Sequence, residues 1–311
     1  MRQRTIATGS GQARKHSSNL AREAFGAAMG RRPVPRPKPP AHAYFSSAFH
    51  FHGISEADAL TVSSEPPIAD AHAPGPLLVL EQVEQRYEDF RPVLVGVDLS
   101  VSRGEFVVIG GPGASGKSVL LRLLSGLERP AGGRVRIAGE DLARMRPRAR
   151  AHLRRSIGIL PPDDLLLDRR SVLENVAMAA WVAGTAREEG VRRAQAALAL
   201  VGVDVGRYAA SPCGRLAGGQ RRSVALARAL VNRPALLLLD DLLTMFDEAG
   251  AARVLQVIDQ FCAAGVTAIA ASRTPADAGA GAPDGAAAPS QVPVWPARAR
   301  RLWLRDGRLA A

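Results

Sequence analysis

Lysine is almost missing from this chain. Of 41 basic residues only Lys15, Lys38 and Lys117 are lysines, and from residue 77 onward Lys117 stands alone among arginines. Cysteine is as scarce: Cys213 and Cys262 are the only two, which excludes a disulfide framework and suits a reducing compartment, with both thiols read as small buried apolar groups. No run of 18 apolar residues occurs, so no segment reads as a membrane-spanning helix. The N-terminus carries arginines without an apolar core behind them, which excludes a secretory signal. Aromatics make up 5% of the chain and do not interleave with basic runs, so the net charge of +12 is not read as a nucleic-acid surface. An anionic membrane surface or a solvated basic face accounts for that charge equally well.

What is present begins late. Residues 1–76, with "RRPVPRPKPP" and no sustained periodicity, read as a disordered Pro/Arg-rich extension. Its His42, His50, His52 and His72 have no acids or thiols at ligand spacing, so no metal site is assigned to them. From residue 77 the texture changes. Strand-like runs cover Leu77–Val83, Gly96–Val101, Glu105–Ile109, Arg134–Ala138 and residues 266–272, and helical runs cover Ser118–Leu127, Arg187–Val201 and Gln220–Val231. Alternating strands and helices predict an α/β fold with a mostly parallel sheet. The Ala/Gly/Pro-rich stretch 275–298 reads as a flexible insertion, and "RRLWLRDGRL" as a hairpin turning at Asp306-Gly307.

Two motifs carry chemistry. "GPGASGKS" places Gly111, Pro112, Gly113, Ala114, Ser115, Gly116, Lys117 and Ser118 between the apolar run "EFVVIG" and a helix opening at Val119, the strand–loop–helix setting of a phosphate-binding P-loop. Glycines let backbone N–H groups converge on phosphates, and the helix N-terminus adds its positive end. Lys117 is then the phosphate ammonium and Ser118 a Mg²⁺ ligand. "LLLLDDLLTMFD", residues 236–247, reads as a buried parallel strand that delivers Asp240 and Asp241 to the same site, Asp240 as the metal carboxylate.

These motifs sit inside a longer resemblance. "LAGGQRRSVALARALVNRP", residues 216–234, is similar to the signature and its helix in ATP-binding cassette (ABC) ATPases, and residues 154–180 resemble the Q-loop region of that family's cell-division branch, FtsE. The resemblance covers residues 77–311. It implies a P-loop NTPase of ABC type with a parallel core, a small antiparallel β subdomain and a helical subdomain at about 155–230. It also implies ATP and Mg²⁺ as ligands, Tyr87 as the adenine-stacking ring, and Asp247 in the D-loop. Gly218, Gly219 and Gln220 would meet the γ-phosphate across a head-to-tail homodimer. The implied partner is an integral-membrane permease, FtsX-like, at the cytoplasmic face of the inner membrane; the ATPase of a lipoprotein or macrolide exporter, or an ATP-dependent interaction module that barely turns over, are the alternatives.

The same resemblance marks departures. Pro162 stands at the Q-loop glutamine position, Ala217 at the signature serine, Asp241 at the catalytic glutamate and Arg273 at the switch histidine. Asp241 is therefore expected to face the attacking water, and Arg273 to stabilise phosphate charge without accepting a proton. The proton affinities of Asp and Glu are close, about 3.9 against 4.3. What Asp241 loses is reach, and about 1 Å at a catalytic group can cost on the order of 100-fold. Lys117→Ala should abolish ATP binding, since no other lysine is available to the phosphates; unchanged affinity by calorimetry would remove the P-loop assignment.

Overall fold

The computed structural model describes residues 75–88, 91–273 and 295–310. The N-terminal extension up to residue 74, with His42, His50, His52 and His72, and most of the 275–298 stretch lie outside the described residues. The apolar run at residues 236–239 is buried on both sides, and this sets the architecture. Leu237 and Leu239 face one cluster and Leu236 and Leu238 the other. A strand with no polar face must lie inside a covered parallel sheet.

That sheet has six strands in the order β10-β9-β3-β8-β7-β6. They are β3 (Phe106–Gly110), β6 (Ile157–Leu160), β7 (Leu236–Asp240), β8 (Thr267–Ala271), β9 (Arg300–Arg305) and β10 (Arg308–Ala310). Pairing is parallel from β9 through β6, and only the β9–β10 hairpin is antiparallel. Asp306 and Gly307 both take positive φ at that turn (47° and 74°), as a tight hairpin of this sequence requires. A second, antiparallel sheet runs β2-β1-β4-β5, from β1 (Leu78–Gln85), β2 (Leu94–Val101), β4 (Gly132–Ile137) and β5 (Glu140–Asp141).

Helix α1 (Lys117–Leu124) packs between the two sheets through Leu120, Leu121, Leu123 and Leu124. The opposite face of the parallel sheet is covered by α3 (Val172–Val182), α4 (Arg187–Leu200), α6 (Gly218–Leu230) and α7 (Glu248–Ala263). Short α2 (Pro147–Arg155) and α5 (Val205–Tyr208) complete the described helices. Among the described residues no helix is long and apolar enough to cross a membrane.

Four of these helices, α2, α3, α5 and α7, extend the sequence-based expectation. Helix α2 escapes periodicity because it buries only Leu153. Helix α3 is apolar nearly all round, yet its start is marked: Ser171 and Glu174 form a reciprocal capping box. Helix α7 opens on Asp247, whose carboxylate accepts from Gly250 N at 2.8 Å. Both cysteines are buried, and burial pushes their thiols up, Cys213 to about 11 and Cys262 to about 12, which leaves them inert at neutral pH.

Strand β6 and helix α6 approach closely at Gly158. A Cβ there would lie 2.4 Å from Ala229 O and 2.6 Å from Leu237 Cδ2. Only a residue without a side chain lets the signature helix sit so near the strand that leads into the Q-loop. Gly158→Ala is expected to lower stability by more than about 2 kcal/mol in urea unfolding, the cost of overpacking a closed core. A loss under about 0.5 kcal/mol would mean that the two elements separate easily.

Candidate functional site

The loop 111–116 and the ends of β7 and β8 enclose a cleft of about 360 Å³. Its lining includes Gly113, Ser115, Gly116, Lys117, Ser118 and Val119 on one side, and Pro162, Asp240, Asp241 and Arg273 on the other. The structure thus brings together the predicted loop, both carboxylates and the two substituted positions. The loop needs its glycines. Gly111 takes φ +156°, and a Cβ there would lie 2.3 Å from Leu304 O; Gly116 takes φ +104° at the start of α1, where a Cβ would meet Val93 O at 2.9 Å. At Gly113 nothing approaches within 4 Å, so the loop's open side faces the cleft.

Lys117 folds back onto this loop. Its Nζ donates to Gly111 O (2.7 Å), Pro112 O (2.8 Å) and Ser115 Oγ (3.1 Å). Three acceptors around one compact ammonium suit lysine, not the planar fork of arginine. Burial lowers its pKa; Asp240 opposes this, Arg273 adds to it and Asp241 again opposes it. Asp240 is buried at the tip of β7, and that burial raises its pKa against a hydrogen bond from Ser118. The donor set of a buried carboxylate and a hydroxyl oxygen is hard and fits Mg²⁺, which takes one or two protein oxygens and completes its shell with water and phosphate. Among the described residues there is no cluster of three or more His, Cys, Asp or Glu, so no closed protein cage competes with that arrangement.

Asp241 is held differently. It takes a left-handed backbone, φ 54°, and its N–H donates to Ala271 O at 3.1 Å. Its carboxylate, 15% exposed, is 2.8 Å from the Arg273 guanidinium, which is itself 68% exposed. Two of the four positions that depart from the family pattern therefore pair with each other. Sequence reasoning placed each of them alone.

It also missed Arg222, the residue that holds the rear of the site. Its side chain is 2% exposed. One nitrogen donates to Pro161 O (2.6 Å), Pro162 O (3.3 Å) and the Asp164 carboxylate (3.0 Å). The other donates to Asp240 O and to Asp241 O (3.1 Å). Arg228, two turns on, donates to the carbonyls of Asp164 and Leu165. The signal lay in plain view: a helix with an apolar face that buries an arginine must give it acceptors.

Other predicted residues lie outside the cleft. The Tyr87 hydroxyl donates to Glu128 and receives from Arg122, and the ring is not part of the lining. Gly218, Gly219 and Gln220 open α6, where the side chain of Gln220 accepts from Ala217 N (3.2 Å). Alanine has no acceptor to return, so half of that capping box is missing. Met245 lies on these glycines, its Sδ 3.4 Å from where a Gly218 Cβ would stand.

Residues 94–244 match the ABC transporter family. The cell division ATP-binding protein FtsE of Escherichia coli is 36% identical over 196 residues, covering 63% of this chain and 87% of that protein. The chain belongs to the ABC transporter family, as an ATP-binding subunit. The cassette is also 43% identical to the lipoprotein-releasing system ATP-binding protein LolD of Chromohalobacter salexigens, over 55% of this chain and 72% of that one. Among solved structures, the dimeric bacterial ABC transporter cassette MJ0796 superposes with a TM-score of 0.64 at 26% identity, covering 75% of this chain and 97% of that one. The family makes the cassette an ATPase, and it confirms the expected fold class.

Arg222→Met should keep the volume and remove every donor. The cassette is expected to lose about 3 kcal/mol, because four carbonyls and the Asp164 carboxylate lose their buried partner. Arg222→Lys should recover part of that loss. Chemical denaturation of the three chains checks this, and a loss below about 1 kcal/mol in the Met variant would mean water replaces the guanidinium.

Proposed function

We propose that this cassette binds MgATP tightly, dimerises head to tail, and turns over slowly while coupled to an integral-membrane, FtsX-like permease at the cytoplasmic face of the inner membrane in cell division. The observation that carries slow turnover is the Asp241–Arg273 ion pair inside an otherwise complete phosphate cleft. In this reading Lys117 and the backbone of 111–118 hold the phosphates, Ser118 and Asp240 hold Mg²⁺, and Tyr87 meets the adenine. Gly218, Gly219, Gln220 and Asp247 complete the site of a second copy. When bound, Mg²⁺ neutralises the phosphate charge that grows during hydrolysis.

Hydrolysis needs a carboxylate free to orient water in line with the γ-phosphate. Asp241 is short by one methylene, and its oxygen is already taken by a permanent cation. Pro162 offers the cleft no polar side chain and no N–H. Binding suffers less than chemistry, because the loop, Lys117, Ser118 and Asp240 are in place.

Identity to FtsE supports the cell-division partner; the identity to LolD supports the exporter alternative. Co-purification separates the two readings by which permease comes down with the cassette.

Turnover tests the catalytic part. The unmodified cassette should hydrolyse ATP well below about 1 s⁻¹, under the ordinary range for enzymes. Pro162→Gln/Asp241→Glu/Arg273→His should raise the rate by at least about ten-fold with little change in ATP affinity. Asp241→Asn should remove what rate remains. A native rate of about 1 s⁻¹ or more would show that Asp241 and Arg273 suffice, and the slow-turnover reading would be abandoned.

A further inference from the structure

Between residues 142 and 155 the chain reads "LARMRPRARAHLRR", with six arginines and no acid. This is α2 with the loop that leads into it. Elsewhere on the described surface arginines commonly find carboxylates, as Arg192 and Arg193 find Glu189 and Arg300 finds Glu105. Here the pattern fails. Only Arg144 reaches an acid, Asp141 at 3.5 Å. Arg146, Arg148, Arg150, Arg154 and Arg155 form no ion pair with any described residue, and neither does the exposed Arg129.

Three of these arginines, Arg129, Arg150 and Arg154, are gathered around one point. Arg154 donates to Gly126 O at 3.3 Å, and the Arg150 stem lies against Gly126, 3.3 Å from where its Cβ would stand. Burial and then the charges of Arg129 and Arg154 push the Arg150 guanidinium below its ordinary value, with no carboxylate to oppose them. Arg150 Nε is buried and makes no hydrogen bond. Like charges held together without counter-charge raise the energy of the free protein, and an anion placed against them lowers it.

Beside this group stands Leu127, 58% exposed, between Gly126 and Arg129 in the chain. Residues 127–155 contain no Phe, Tyr or Trp on which a base could stack. Glu128, next to Leu127, is already paired with Arg122. An exposed apolar side chain beside Arg129, Arg150 and Arg154 is what a lipid interface accommodates: the apolar group enters the acyl boundary and the cations meet headgroup phosphates. We propose that Arg129, Arg146, Arg148, Arg150, Arg154 and Arg155, with Leu127, form a face that docks directly on an anionic lipid bilayer. This contact is separate from the permease partner and does not depend on the nucleotide reading.

The test is sedimentation of the full chain with vesicles of phosphatidylcholine, alone or with about one third phosphatidylglycerol. Binding should require the anionic lipid and should fall at least about ten-fold as salt rises from about 0.05 M to about 0.3 M. Arg129→Gln/Arg148→Gln/Arg155→Gln should lower binding by about ten-fold or more. Arg86→Gln/Arg103→Gln/Arg308→Gln removes the same charge from exposed positions elsewhere and should cost less than about three-fold. Leu127→Ser should weaken binding at high salt, where the apolar contribution remains. Equal losses in the two triple variants would overturn the proposal, because net charge or the N-terminal arginines would then account for binding. So would equal binding to pure phosphatidylcholine. Tighter binding of a duplex oligonucleotide that displaces the vesicles would assign the face to nucleic acid instead.

Discussion

A buried guanidinium is costly unless every direction it points in holds an acceptor. At its two terminal nitrogens Arg222 meets that condition, drawing three segments to one point: the signature helix that carries it, the Pro161–Asp164 loop, and the peptide between Asp240 and Asp241. Its Nε alone stays without a partner. The rest of the site depends on this. Asp240 sits where the leucine strand delivers it, but the left-handed turn at Asp241 aims that residue's carbonyl at the arginine and its carboxylate at the cleft. The Pro161-Pro162 pair has no N–H to offer, so the carbonyls are its only backbone handles, and Arg222 takes both.

Electrostatics and reach then divide the site into two halves. The phosphate half is pre-organised: Lys117 has three acceptors, the glycines leave the loop open, and Ser118 hydrogen-bonds Asp240. In the proposed reading the water half is quenched: Asp241 and Arg273 pair with one another, which engages the carboxylate proposed to orient the nucleophile. On that proposal, the cassette separates holding a nucleotide from consuming it.

Much of this was legible in the sequence, for identifiable reasons. The apolar run 236–239 announced a covered strand because nothing polar interrupts it, and "GPGASGKS" announced the loop because glycine at those φ values has no substitute. Asp306-Gly307 announced a hairpin by turn chemistry alone. What escaped was contact between residues distant in sequence. Asp241 and Arg273 are 32 positions apart, and Arg222 reaches residues about 60 positions upstream and about 20 downstream. Helix α2 escaped for another reason: its face is paid for by charge rather than by an apolar stripe, so periodicity has little to find.

The scarcity of lysine has a consequence for how the folded part meets proteases. A lysine-directed protease has one target bond between residues 77 and 310, and it follows Lys117 at the first turn of α1, with the side chain buried among loop carbonyls. Arginine-directed cleavage has many targets, several on exposed surface. The same polypeptide is thus nearly closed to one specificity and open to the other, and the single closed door is the phosphate site itself.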